Sequence, residues 1–146
     1  MTPREIVPAT PTDAGAVTGL LAQAALPTAD LTAARMEEFL VVRGDGQLEG
    51  MVALEPYGTS GLLRSLVVAP STRGTGLGTQ LVAALEIRAR GLGIKELWLL
   101  TTTAAAFFAK LGYRVTDRAG APEAVRRSAE FTSLCPSSAV CMVKAL

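Results

Sequence analysis

Arg73-x-x-Gly76-x-Gly78 is the stretch whose residue types and spacing point most directly to chemistry. It follows the apolar run Leu66-Val67-Val68-Ala69-Pro70 and leads through Thr79 into a segment of helical periodicity beginning at Gln80. A strand, a glycine turn and a helix N-terminus in that order make an anion site. The first N–H groups of a helix lack intrahelical partners, and its aligned peptide dipoles add partial positive charge there. Glycine lets the main chain approach a phosphate and adopt positive φ. Two nucleotide patterns are excluded. A Walker loop needs Lys and then Ser or Thr after its last glycine, whereas Gly78 precedes Thr79-Gln80. A dinucleotide fingerprint needs two residues between its second and third glycines, and Gly74, Gly76 and Gly78 are spaced too closely.

Composition narrows the remaining chemistry. The chain holds no histidine, which removes His-based triads, a His general base and most zinc sites; no metal is expected. Net charge is +1 over 146 residues, so there is no broad field for nucleic acid or an anionic membrane surface, and anion recognition must be local. Apolar residues are 49% and charged ones 18%, enough for one well-buried domain, expected over residues 1–146. No apolar run approaches the ~18 residues of a membrane span. Met1 to Glu5, followed by Pro8 and Pro11, does not read as a secretory leader, so cytoplasm is the expected location.

The elements that must position the glycine turn follow from pattern. Ile6 to Ala9 reads as an edge strand, since Pro8 cannot donate to a central ladder. Thr10 as N-cap, Pro11 at N1 and Asp13 at N3 start a helix carrying Val17, Leu20, Leu21 and Ala24, closed by Leu26-Pro27. Thr28 or Asp30 can cap a second helix running to Glu38. Phe39–Val42, Leu48–Leu54 and Leu62–Val68 form an antiparallel meander, with turns at Arg43–Gln47 and Pro56–Gly61. The helix after Gly78 places Leu81, Val82, Leu85 and Ala89 on one side and Glu86, Arg88 and Arg90 elsewhere, ending at Gly91 and Gly93. Glu96–Leu100 is a strand parallel to the preceding one. A short helix Ala104–Leu111, a strand from Tyr113, a helix from Pro122 at N1 to Ser128, and a last strand Ala139–Val143 complete a mixed α/β sheet.

Over nearly its whole length the chain resembles the GNAT superfamily of acetyl-CoA-dependent N-acetyltransferases. Within it the chain is most similar to small single-domain enzymes associated with arsenic resistance, close to amino-acid acetyltransferases of the N-acetylglutamate-synthase kind. Four segments carry the likeness: Leu63-Arg64-Ser65-Leu66-Val67-Val68; the Arg73–Gly78 turn; Leu100-Thr101-Thr102-Thr103 with Phe107-Phe108 and Leu111-Gly112-Tyr113; and Glu130-Phe131-x-x-Leu134-Cys135-Pro136-x-Ser138-Ala139. The resemblance implies a mostly antiparallel sheet with helices on both faces and a splayed parallel pair that admits acetyl-CoA. Main-chain groups of Leu66, Val67 and Val68 would pair with pantetheine. Those of Arg73, Gly74, Thr75, Gly76, Leu77, Gly78 and Thr79 would cradle the pyrophosphate. Phe107, Phe108 and Lys110 would lie near the thiol-proximal arm or the nucleotide.

The implied reaction is attack of a free amine on the thioester, with acetyl-CoA as co-substrate and a small amino-acid-like amine as partner. Members of the superfamily often place a Tyr acid where this chain has Phe108, which cannot donate a proton. Thr102, Thr103 and Ser137 are the polar alternatives. Glu55 and Glu130 are the carboxylates weighed as base, although most Glu side chains are simply solvated. Arg64, on a strand face with Leu66 and Val68 by alternation, could hold a substrate carboxylate or arsonate-like oxyanion through a bidentate pair. Cys135 and Cys141 read as buried thiols rather than as ligands for trivalent arsenic. A homodimer is compatible with the apolar last strand. The other readings kept open are an antibiotic- or polyamine-directed acetyltransferase and a non-catalytic acetyl-CoA sensor, the latter favoured by Phe108.

Overall fold

The computed structural model describes residues 5–26, 28, 31–44, 46–134 and 138–146. Among the described residues the strands are β1 (Ile6–Pro8), β2 (Phe39–Gly44), β3 (Gln47–Tyr57), β4 (Ser60–Val68), β5 (Glu96–Thr101), β6 (Arg114–Thr116) and β7 (Val140–Ala145). The helices are α1 (Ala14–Gln23), α2 (Leu77–Gly91), α3 (Ala105–Lys110) and α4 (Glu123–Arg126). The strands form one sheet in the order β1-β2-β3-β4-β5-β7-β6, mostly antiparallel, with β4 and β5 parallel. This is the mixed α/β arrangement expected. Among the described residues no helix is long and apolar enough to cross a membrane.

The chain packs as two compact units, Met1–Leu54 with Ser65–Ile87, and Glu55–Arg64 with Arg88–Leu146. In the first, α1 begins where Thr10-Pro11-Thr12-Asp13 predicts. The Asp13 carboxylate accepts from the Thr10 N–H at 2.8 Å, and the Asp13 N–H donates to the Thr10 carbonyl at 2.9 Å. The helix ends at Gln23, earlier than Leu26-Pro27: Ala25 turns to φ 57° and the Leu26 N–H returns to the Leu21 carbonyl at 3.0 Å. The second helix is a 3₁₀ segment, Ala33–Glu38, that starts after Thr32 rather than at Thr28. Pro27, Asp30 and Asp45 lie outside the described residues. Val17, Leu21, Met36, Phe39, Val41, Met51, Ala53 and Val67 form the apolar core of this unit.

Arg43 reaches back from the end of β2 to pair with Asp13, and that guanidinium holds the Asp13 carboxyl below the usual carboxylate range. A carboxyl whose folded pKa is depressed stabilises the native state above its unfolded pKa. That stabilisation is lost as pH falls through the lower folded value. Asp13→Asn is therefore expected to unfold at lower urea than the parent at pH 7. The gap should close as pH drops below about 3.9, and paired urea titrations across that range check it.

Gly50, in the middle of β3, decides how closely α2 can lie on its own unit. A Cβ there would stand 3.0 Å from Leu81 Cδ1, 3.1 Å from Leu77 Cδ2 and 3.2 Å from the Val67 carbonyl oxygen. The missing side chain lets the helix seat its first two turns directly on the strand. α2 starts at Leu77 rather than Gln80, and Leu81, Val82, Leu85 and Ala89 are buried as expected. Glu86, assigned to the polar side by pattern, is also buried.

In the second unit, β7 is inserted between β5 and β6 and is hydrogen-bonded on both edges. This accounts for its apolar sequence. Leu62, Trp98, Ala121, Val125, Phe131, Cys141 and Val143 make the core. Two expectations change here. β3 continues through Pro56 to Tyr57, where a turn was expected, leaving only Gly58-Thr59 between strands. Because β2 begins at Phe39, opposite Ala53, residues beyond Ala53 face no β2 donor or acceptor, and the missing N–H of Pro56 costs nothing on that side. Pro122 is the N-cap of α4 rather than N1, and α4 ends at Arg126, short of Ser128. The Ser128 hydroxyl bonds back to the Val125 carbonyl at 2.6 Å, and the chain then turns through a π-helical segment, Glu130–Leu134.

Candidate functional site

The glycine turn has the geometry its residues predict. Gly74 and Gly76 adopt φ of 82° and 81°, and where a Cβ would stand at either there is open space. The turn is braced from inside its unit. Buried Thr72 donates its hydroxyl toward the carbonyls of Ala69 and Glu49 at 3.0 and 3.1 Å, and Thr75 Oγ1 donates to the Thr72 carbonyl at 2.6 Å. The first helical bond of α2 runs from the Gln80 N–H to the Gly76 carbonyl at 3.1 Å. Among the described residues no main-chain carbonyl accepts from the N–H groups of Gly74 through Thr79. These six donors stand on a braced turn at the N-terminal, partially positive end of a 15-residue helix. Arg73, Thr75 and Thr79 are exposed and Gly78 is half-buried, whereas the Leu77 side chain is buried in the core, so only its main chain can face a ligand. Leu66 and Val68 are half-buried and Val67 belongs to the core.

The second unit carries a buried charged cluster that composition could not reveal. Arg64 is buried on β4, and its Nη1 donates to Glu55 Oε2 at 2.9 Å. Glu55, also buried, accepts the Tyr57 hydroxyl on Oε1 at 2.5 Å. Glu130 is buried with its Oε1 3.9 Å from Arg64 Nε. The surface position expected for both glutamates is therefore corrected: each is withdrawn from water because an arginine inside the unit balances it. Tyr57 was missed because Pro56 made its neighbourhood read as a turn. In an extended β3, residues 55 and 57 lie on the same face, which is how the hydroxyl reaches the carboxylate.

The cluster stands where the parallel ladder stops. β4 and β5 pair over three registers, Ser60↔Glu96, Gly61↔Leu97 and Leu62↔Trp98, although β5 runs on to Thr101 and remains paired with β7 to Val140. Arg64 is two residues past the last pair. Ser65 follows at φ 60°, a left-handed conformation unusual for a side-chain-bearing residue and costly unless the surroundings impose it. That kink ends the strict alternation that would place Arg64 on a face with Leu66 and Val68. The lower end of the pair is pinned instead: Glu96 Oε1 accepts from Ser60 Oγ at 2.9 Å and from Trp98 Nε1 at 3.0 Å.

The other sequence candidates are dispersed. Thr102 and Thr103 are exposed beyond β5, while Thr101 Oγ1 accepts the Ala104 N–H at 3.0 Å before α3. Ser137 and Cys135 lie outside the described residues. Phe108 is buried edge-on against Phe107, 5.1 Å between centroids, and against Tyr113, 5.5 Å away. Phe107 is half-buried and Lys110 exposed. Tyr113 is a core residue, with Lys144 Nζ 5.5 Å from its ring centroid. Arg127 pairs with Glu123 at 2.6 Å on the surface, and Arg126 Nε donates to the Ala121 carbonyl at 3.0 Å. Burial pushes the Cys141 thiol up, with Arg118 opposing the shift, so it is a protonated, inert side chain at neutral pH. Among the described residues no cluster of His, Cys, Asp or Glu could hold a metal ion.

Comparison with known proteins identifies the family and the fold. The family model described as "Acetyltransferase (GNAT) domain" covers residues 35–115. An amino-acid acetyltransferase of Ralstonia nicotianae is 36% identical over 77 residues, 51% of this chain and 17% of that protein. N-acetylglutamate synthase from Neisseria gonorrhoeae, solved with coenzyme A and N-acetyl-glutamate, superposes with a TM-score of 0.85 at 24% identity, over 100% of this chain and 36% of that one. Rv2747 from Mycobacterium tuberculosis, solved with CoA and NLQ, gives 0.81 at 24% identity, over 97% of this chain and 99% of that one. The chain thus spans a minor part of the Ralstonia and Neisseria proteins, and the two structural likenesses speak to fold.

Proposed function

The chain belongs to the GNAT acetyltransferase family, and from that premise we propose that it transfers the acetyl group of acetyl-CoA to the amine of a small amino-acid-like acceptor. Acetyl-CoA supplies an activated thioester. The chain's own residues have three tasks: to hold the donor's diphosphate, to accept a proton from the acceptor's amine, and to keep the charges around that proton fixed. The main chain from Arg73 to Thr79 performs the first. Its N–H groups from Gly74 to Thr79 are not taken by main-chain carbonyls among the described residues, its glycines leave open space, and its helix supplies the favourable dipole. Main-chain groups of β4 from Leu66 to Val68 receive the pantetheine arm.

Glu55 performs the second task. The single observation that carries this is its burial at the end of the parallel ladder, with Tyr57 and Arg64 each holding one carboxylate oxygen. A carboxylate held in one place is positioned to take a proton from an ammonium, directly or through one water. The neutral amine then attacks the carbonyl carbon to give a tetrahedral intermediate; its nitrogen loses its extra proton to solvent, the C–S bond breaks, and the departing thiolate takes a proton from solvent. Phe108 cannot supply it. Arg64 contributes a fixed positive charge on the acceptor side, where a carboxylate of the acceptor would be drawn.

Calorimetry with CoA and a thiol-release assay over a panel of amino acids test the proposal together. Binding of CoA and release with at least one amino acid are expected. No heat with CoA would overturn the donor site. Tight CoA binding with no release from any amine would instead favour an acetyl-CoA sensor, the reading to which Phe108 lends its weight.

A further inference from the structure

We propose that the groove between α1 and the β2–β3 hairpin is a further small-molecule site, one that takes a free amino acid as its zwitterion. The inference stands apart from the acetyl-transfer reading. The residues lining the groove all belong to the first compact unit, and they include neither the Glu55–Arg64 cluster nor the turn from Arg73 to Thr79.

The groove has a volume of about 560 Å³, within the usual range of small-molecule pockets. One wall is a face of α1 and the turn before it, where Asp13, Ala16, Gly19, Leu20 and Gln23 recur at helical spacing. Ala16 and Gly19 keep that wall low, and a Cβ added at Gly19 would meet nothing within 4 Å. Leu20, Leu48 and Pro70 give the lining an apolar part, and Asp13 and Arg43 give it charge. Their ion pair is one-sided. The Thr10 N–H, the Thr10 hydroxyl and Arg43 Nη2 all donate to Asp13 Oδ2. Among the described residues no group pairs with Asp13 Oδ1, or with Nε and Nη1 of Arg43. The Arg43 side chain is 41% exposed and that of Asp13 12%, so the pair is open to a ligand while its carboxylate is largely withdrawn from water. Opposite charges held side by side select a class of ligand. A lone carboxylate is drawn to Arg43 but repelled by Asp13, and a lone ammonium meets the reverse. A zwitterion brings both signs on adjacent groups. Its carboxylate can take the remaining guanidinium donors and its ammonium can donate to Oδ1, so neither protein charge opposes it. The apolar part of the lining then receives an aliphatic side chain.

The probe is free leucine, with leucinamide and N-acetyl-leucine as relatives that keep one charge each and also stand for the two ends of a peptide. In NMR spectra of the isotope-labelled wild-type chain without acetyl-CoA, leucine is expected to shift the amide signals of Gly19, Leu48 and Ala69 saturably. The two relatives should bind at least about tenfold more weakly. Gly19→Leu fills the groove from a position with open space around it, and leucine is the better helix former, so the fold is expected to hold. Arg43→Gln removes the partner of the ligand's carboxylate. Each variant should weaken leucine binding about tenfold or more, with folding checked by circular dichroism. The proposal is overturned if leucine gives wild type no saturable shift, if the shifts fall outside the groove, or if the relatives bind as well as leucine, results that need no variant. It is also overturned if either variant folds and binds leucine as wild type does. Thiol release plays no part in these measurements, so failure here leaves the acetyl-transfer reading standing, and a chain without turnover would leave this site standing.

Discussion

Glu55→Gln is expected to lower kcat roughly 10²- to 10⁴-fold, the usual contribution of a positioned proton acceptor, while the dissociation constant for CoA stays within a factor of about two. The asymmetry follows from place. Glu55 belongs to the buried cluster beside Arg64 and Tyr57, whereas the donors we propose for CoA are main-chain groups of the Arg73–Thr79 turn. An amide keeps the volume and one accepting oxygen, so Tyr57 can still donate, but it cannot take up a proton at neutral pH. Steady-state kinetics with the best acceptor, paired with CoA calorimetry on the same preparation, reads both effects. A fall in kcat of less than tenfold would remove Glu55 as the proton acceptor and leave it a structural partner of Arg64. A parallel loss of CoA binding would mean that the substitution disturbs the fold rather than the chemistry.

Arg64→Ala has the largest expected effect on stability, a loss of about 3–5 kcal/mol. The reason is not the value of the ion pair itself, which desolvation largely offsets. Removing the guanidinium strands the carboxylates of Glu55 and Glu130, both buried, without the cation beside them. Urea unfolding at pH 7 measures it, and a loss under about 1 kcal/mol would mean the cluster is effectively hydrated. Replacing Arg64, Glu55 and Glu130 together by Met should recover much of the loss, because exchanging a whole buried charged group for apolar side chains of similar volume is often nearly neutral. In whatever fraction of Arg64→Ala folds, the acceptor KM should rise more than the KM for acetyl-CoA. Equal changes would take Arg64 out of acceptor recognition.

Much of this protein is written in local patterns. Thr10-Pro11-x-Asp13 determines the start of α1 because a capping box is satisfied within four residues. The Arg73-x-x-Gly76-x-Gly78 spacing determines the shape of the glycine turn because positive φ and a helix N-terminus are properties of neighbouring residues. The apolar stripe of α2 and the alternation in β2 and β3 likewise specify which faces are buried. What the sequence by itself left undecided depends on partners remote along the chain. Whether Glu55 and Glu130 are solvated or buried turns on an arginine 9 positions from one and 66 from the other. Whether Pro56 ends a strand turns on where β2 begins, and whether the last strand lies at an edge turns on β6 pairing with its far side. The tertiary structure decided these because burying a charge is tolerable only when an opposite charge arrives at the same point, and no local propensity records that arrival.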